Sequence, residues 1–244
     1  MNKQIIFSDG RKGGIGKSTT CICIIDYLLK QQGKNILLVD ADHTNPEVAR
    51  LFQNNKQIAC LTYDLHLDSE WMELGHSIEK HSKHIDYVVV NLPAAMDIGP
   101  FLEHYGDSIR ELGFEISVFF TITKQADSIN LLGHSLHTGS LKFANHRVVV
   151  KNGFFGLEDE FIRFDESDTK KTLLKMDGKI IYFRELFFKS YDLCLDQHQK
   201  TFSQAVEDEM MLFTRHQIKR WIDDIHAAIS SVISEPLVEE SDVS

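Results

Sequence analysis

Hydrophobic positions along the chain gather into short, nearly continuous apolar runs separated by longer stretches of mixed polarity. Runs of about four to eight apolar residues bounded by turn residues mark strands buried on both faces. Residues 4–8 (Gln-Ile-Ile-Phe-Ser), 35–39, 86–91 (Asp-Tyr-Val-Val-Val-Asn), 116–123 and 146–151 are predicted strands, and 179–183 is a further strand-like run. Helices are expected over 18–32, ending before Gly33, and over 101–112 and 126–137. A long final helix is expected over 214–233. There Ile218, Trp221, Ile222, Ile225, Ile229, Val232 and Ile233 recur at three- and four-residue steps. Core packing is the simpler reading of that stripe, because the opposite face is mixed in charge, unlike the basic amphipathic helices that lie on lipid.

Alternating strands and helices imply an α/β fold, a mostly parallel twisted sheet flanked by helices with right-handed crossovers. With 244 residues and 43% apolar content, the chain suits one domain over 1–234 better than two small ones. Residues 235–244 are acidic and small and are expected to be disordered. The charged stretch 158–175 reads as a partly exposed excursion. No apolar run reaches the roughly 18 to 20 residues that span a bilayer, and the N-terminus lacks a signal-peptide pattern, so a cytoplasmic protein with no membrane association is expected.

A formal net charge of −10 excludes a globally basic nucleic-acid binder and leaves room only for a local patch. The four cysteines, Cys21, Cys23, Cys60 and Cys194, lack metal-ligand spacing and read as reduced structural thiols. His76, His81 and His84 are spaced poorly for one ligand face of a helix, and a solvated surface suits them better.

The strongest chemical signal is Gly10-Arg11-Lys12-Gly13-Gly14-Ile15-Gly16-Lys17-Ser18-Thr19, which follows an apolar strand and opens a helix. The strict phosphate-loop pattern G-x-x-x-x-G-K-[ST] would need glycine where Arg11 stands, so the segment fits the variant Lys-Gly-Gly-x-Gly-Lys-Ser-Thr. Glycines let successive backbone N–H groups turn in around an oxyanion, and the first helical turn adds further donors and a positive dipole end. ATP with Mg²⁺ is the implied ligand, held by Gly13, Gly14, Ile15, Gly16, Lys17, Ser18 and Thr19. Lys17 would reach the β- and γ-phosphates, Ser18 would ligate Mg²⁺, and Thr19 would lie near the α-phosphate.

This loop closely resembles that of the ParA/MinD class of P-loop ATPases, sharply over the first 50 residues and loosely over most of the chain. The resemblance implies that Lys12 reaches the phosphates of nucleotide in a second copy, and hence an ATP-induced homodimer; an exposed lysine without that role is the alternative. Asp40-Ala41-Asp42 resembles the family's acidic switch segment, which implies that Asp42 orients or deprotonates the attacking water and that Asp40 supports the water shell of the metal. Asp42 could instead cap the next helix. Where the family's third strand ends in a carboxylate this chain has Asn91, which can accept a hydrogen bond but brings no charge to Mg²⁺. Hydrolysis would then be slow or partner-dependent. Asn152, at the start of Asn-Gly-Phe-Phe-Gly, is placed either at the adenine or in an ordinary turn.

Within the class, the Asn152–Gly156 segment and the late helix around residues 212–221 are similar to the ParA-like proteins of conjugative plasmids, of the TraL and StbB kind. That implies a role in plasmid partition, positioning or transfer with a plasmid-encoded partner protein. Arg215, Lys219 and Arg220 would contact DNA non-specifically, with Lys170, Lys171 and Lys175 as a second cluster; a solvated face explains either cluster equally well. A module that holds ATP with little turnover is the competing function, and no residue constellation supports a metabolic ligase.

Overall fold

The computed structural model describes residues 3–31, 34–43, 45–186, 190, 194–195, 200–207 and 211–233. The expected helix stop at Gly33 and the acidic segment 235–244 lie outside the described residues. The first half runs β1 (Lys3–Asp9), α1 (Lys17–Lys30), β2 (Ile36–Asp40), α2 (Glu47–Phe52), β3 (Ile58–Thr62), α3 (Asp68–His81), β4 (Tyr87–Asn91) and α4 (Gly99–Glu111). The second half runs β5 (Phe114–Ile122), α5 (Ala126–His137), α6 (Ser140–Phe143), β6 (His146–Asn152), α7 (Ile162–Asp165), α8 (Asp168–Lys175), β7 (Lys179–Phe183), α9 (Phe202–Glu207) and α10 (Leu212–Ser230).

The strands form one seven-stranded sheet in the order β3-β2-β4-β1-β5-β6-β7, with every neighbouring pair parallel. A parallel sheet needs a crossover after each strand, so helices cover both faces and the strands read as unbroken apolar runs. Side chains alternate between the two faces. Ile6, Leu38 and Val89 pack with α1 and α10, while Ile5, Phe7, Leu37, Val88 and Val90 pack with α3, α4 and α5. The stripe on α10 is core, with Ile218, Trp221, Ile222, Ile225 and Ile229 buried, and Val232 and Ile233 buried just past the helix end. Cys21 and Cys23 are both buried, free, and in the same apolar cluster.

The topology positions the site. After β3 the chain returns to place β4 between β2 and β1, and β5 then pairs on the other side of β1. Ligands of open parallel sheets bind outside the carboxyl ends of strands where the winding reverses, and here that place is the end of β1, where residues 10–16 lie.

The hydrophobic pattern does not predict β3 or α3, because β3 is an edge strand with a mixed burial pattern and α3 buries only Leu74 and Ile78. The stretch 158–175 is partly exposed as expected, but it also contributes to the core: Phe161, Phe164 and Leu173 are fully buried, and Asp165 pairs with the buried Lys151 at 2.8 Å. Phe164→Ala should therefore lower the free energy of unfolding by about 3–5 kcal/mol in a urea titration, whereas a surface position would lose under about 0.5 kcal/mol.

Candidate nucleotide site

The loop after β1 is shaped by residues that tolerate unusual backbone. Gly14 and Gly16 have φ of 70° and 95°, and Arg11, in the slot where the strict motif has glycine, has φ 53°. A Cβ on Gly16 would sit 2.3 Å from the Asn152 amide nitrogen, and one on Gly10 would sit 2.2 Å from Ile15 Cδ1 and 2.9 Å from the Thr121 carbonyl. The loop is thus tight on its inner side and open at Gly14, where a Cβ would meet nothing within 4 Å. Gly16 is the N-cap of α1, which has no side-chain cap and no acidic residue in its first turn. Its leading N–H groups and dipole are left facing the loop.

Buried polar side chains anchor this loop from below. Ser8 Oγ donates to the Lys17 carbonyl at 2.8 Å. Asp9 accepts from the Gly10 N–H at 2.6 Å and from Ser140 Oγ at 2.6 Å, and Thr20 and Thr121 share a hydroxyl bond of 3.1 Å. Burial pushes the Asp9 carboxyl above the usual range, opposed by those two hydrogen bonds and by the nearby Lys17 and Arg11. Asp9 falls outside the motif pattern of the loop. Its partner Ser140 lies 131 residues away, and no local pattern announces the pair.

Lys17 is 8% exposed and donates to the Lys12 carbonyl at 2.9 Å. Burial lowers its pKa, while Asp9 and Asp42 act to keep it charged. A cation drawn out of water beside unpaired helix N–H groups suits a phosphate, so the residues present fit the expected triphosphate. Lys12 itself does not project into open solvent. Its ammonium donates to Gln125 Oε1 at 2.7 Å and lies 3.8 Å from Asp127 of the same chain.

The acidic segment and Asn91 meet at one hub. Asp40 is fully buried and accepts from the Ala49 N–H (3.0 Å), the Asn91 amide (3.0 Å) and the Asp42 N–H (3.3 Å). Burial raises its pKa, those bonds lower it, and the Asp42 charge raises it again. The Asn91 amide also lies 3.5 Å from Ser18 Oγ, which brings together the residues expected around Mg²⁺. Asn91 Oδ1 is buried without a hydrogen-bond partner, a free acceptor that fits the water shell of a cation. Among the described residues no group of three or more His, Cys, Asp or Glu is placed to hold a metal ion. The capping alternative for Asp42 is not what forms: α2 begins after Pro46 with no side-chain cap, and the Asp42 carbonyl accepts from Asn45 N–H at 3.0 Å.

Asn152 makes the turn that sequence allowed, its Oδ1 accepting from Phe154 N–H at 3.1 Å, and its amide donates to the Ile15 carbonyl at 2.8 Å. It also lines a cavity of 270 Å³ that runs from Gly14, Gly16 and Thr19 to Phe183, Leu186 and Trp221. Trp221 Nε1 donates to the Arg184 carbonyl at 2.7 Å, fixing the far wall. This wall was missed, because Trp221 registered only as part of a core stripe. Three of the six basic residues in the two clusters pair with acids: Lys170 and Lys171 with Asp165 and Asp168, both at 2.8 Å, and Lys219 with Asp223 at 2.5 Å. His76 and His84 are exposed, and His81 bonds the Ser77 carbonyl at 2.8 Å. No helix among the described residues is long and apolar enough to cross a membrane.

The hub makes a prediction about charge. Asn91→Asp places a second carboxylate beside Asp40, whose pKa is already raised, so the nucleotide-free variant should lose about 1–3 kcal/mol at neutral pH. A carboxyl with a raised folded pKa stabilises below its unfolded value, and that contribution is lost as pH rises through the folded value. The deficit should therefore shrink as pH falls toward the usual carboxylate range and on adding Mg²⁺, as read by thermal melting.

Residues 3–102 match the family model described as AAA domain. The chain is 27% identical over 241 residues to protein MobD of Acidithiobacillus ferrooxidans, covering 96% of this chain and 100% of that protein. Among solved structures it is similar to the MinC:MinD cell division protein complex of Aquifex aeolicus, with TM-score 0.57 and 18% identity over 96% of this chain and 98% of that one. It is also similar to a ParA family ATPase from Chlorobium tepidum TLS, with TM-score 0.58 and 14% identity over 93% and 98%. Sheet order, loop position and these likenesses agree on a single α/β domain with the fold of a P-loop NTPase, its seven-stranded all-parallel sheet flanked by helices.

Proposed function

We propose that this protein is an ATP- and Mg²⁺-dependent switch of the ParA/MinD type, which dimerises on ATP and serves a positioning or partition role. The observation that carries the reading is the buried Lys17 ammonium inside a glycine loop, next to a hub that joins Ser18, Asp40 and Asn91. Lys17 and the N–H groups of residues 13–19 would hold the β- and γ-phosphates, and Ser18 would hold Mg²⁺ with Asp40 and Asn91 behind it. When bound, Mg²⁺ neutralises charge on the phosphates. Asp42, close enough to Lys17 to influence its titration, would accept the proton of the attacking water. The cavity beyond Gly16 and Thr19 would take the adenine, with Asn152 on its wall.

Dimerisation rests on Lys12. To reach nucleotide in a second copy, its ammonium would leave Gln125 and Asp127 for the more strongly charged phosphates. A plasmid role in partition or conjugative transfer, with a plasmid-encoded partner, is supported by the resemblance of the Asn152–Gly156 and late-helix segments to the TraL and StbB kind. Direct, salt-sensitive DNA contact would fall to Arg215, Lys219 and Arg220 on α10.

A second reading is favoured by Asn91. Its neutral amide is bonded to Asp40 where the family has a carboxylate, which suits a module that holds ATP with little turnover. Single-turnover hydrolysis with and without DNA separates the two. The switch reading expects slow turnover that rises in Asn91→Asp, and no hydrolysis in either form favours the holding module. Lys12→Ala should keep ATP affinity within about threefold, since its own loop retains Lys17, yet abolish ATP-induced dimerisation in sedimentation. A wild-type protein that stays monomeric at saturating ATP contradicts the switch.

A further inference from the structure

Helices α3 and α4, the two crossovers that flank β4 and run side by side in the same direction, leave an open trough on the face away from α1 and α10. Its floor is aromatic and aliphatic: Trp71 and Phe101 stack at 4.0 Å between centroids, Tyr105 continues the row at 5.2 Å, and Met72 and Tyr105 are 44% and 39% exposed. The trough encloses 530 Å³ on one side of the Trp71–Phe101 stack and 670 Å³ on the other, where it ends at Ala95–Asp97. Gly75 forms part of the floor in mid-helix, and a Cβ there would meet nothing within 4 Å. Glycine is a poor helix former, and among the described residues neither backbone geometry nor packing accounts for it. Its effect is to keep the trough deep.

The rim decides what can lie there. The trough is lined by Asp68, Glu79 and Glu111, with Asp97 at its far end and, among the described residues, no Lys or Arg. Elsewhere the two helices carry Glu70, Glu73, Glu103 and Asp107 against Lys80 and Arg110, the last bound to Asp107 at 2.9 Å. Nucleic acid and anionic lipid are repelled by such a surface. A second copy presenting the same face would set carboxylates against carboxylates. The chain's own last segment, 235–244, holds Glu235, Glu239, Glu240 and Asp242 and no cation, so it too is mismatched.

We propose that the α3–α4 trough is a docking surface for a basic amphipathic helix of another protein. Apolar anchors of that helix at three- and four-residue spacing would fill the trough over Gly75, and its flanking Lys or Arg would meet the acidic rim. The surface is independent of the nucleotide reading, although its far end reaches the segment whose Asp97 pairs with Arg11 of the phosphate loop at 3.2 Å.

The test uses the full chain and a labelled synthetic amphipathic helix, with Leu and Trp on one face and Lys on the other, beside a twin carrying Glu for Lys. Fluorescence anisotropy should show the Lys helix binding at least about 100-fold more tightly than its twin. Gly75→Gln, which fills the trough with a good helix former, should weaken it about tenfold or more without lowering the melting temperature. The double variant Glu79→Lys, Glu111→Lys should weaken it comparably and flatten its salt dependence. Binding unchanged in Gly75→Gln would reduce the effect to general acidity and overturn the proposal. So would equal binding of both helices, or wild-type self-association that Gly75→Gln abolishes, which would assign the trough to a second copy.

Discussion

The structure turns on a cation held out of water. Lys17 is anchored at the start of α1, its ammonium is buried, and its bond is to a backbone carbonyl five residues earlier. Desolvation works against its charge, and Asp9 and Asp42 work to keep it. Such an arrangement is stable only where the surrounding chain over-determines it. Here Ser8, Asp9, Thr20, Thr121 and Ser140, drawn from two strands and two helices, fix the loop from beneath. The parallel sheet supplies this support because its strands all end on the same side, so residues far apart in sequence converge at one edge.

The same edge holds a second constraint. Asp40 is a fully buried carboxylate satisfied by three donors, and one of them is the side chain of Asn91. A carboxylate at position 91 would leave two acids in contact in the nucleotide-free protein. The amide removes that repulsion, places its Nδ2 3.5 Å from Ser18 Oγ, and leaves Oδ1 as an open acceptor. Neutrality thus stabilises the nucleotide-free protein, and under the proposed switch reading it would withhold negative charge from Mg²⁺.

Much of the architecture is legible along the chain because a parallel sheet writes itself as continuous apolar runs: β1, β2, β4, β5, β6 and β7 all stand out. β3 does not, since an edge strand half open to solvent carries the weak pattern Ile-Ala-Cys-Leu-Thr. The stretch 158–175 misleads in the opposite way, its many charges hiding three buried hydrophobes. The phosphate loop is legible because its chemistry lies in ten consecutive residues. The Asp9–Ser140 bond, the Trp221–Arg184 wall and the Lys12–Gln125 contact are not, because each is made by tertiary pairing across 37 to 131 residues.

If the buried Lys17 and its glycine cradle are built for the terminal phosphates of a nucleotide, affinity should follow phosphate number. Calorimetric titration of the full chain with ATP, ADP and AMP, each with Mg²⁺, addresses this directly. ATP and ADP should bind, and AMP, which offers nothing at the β-position, should bind at least about 100-fold more weakly. Equal affinity for all three, or no binding of any, would contradict the account.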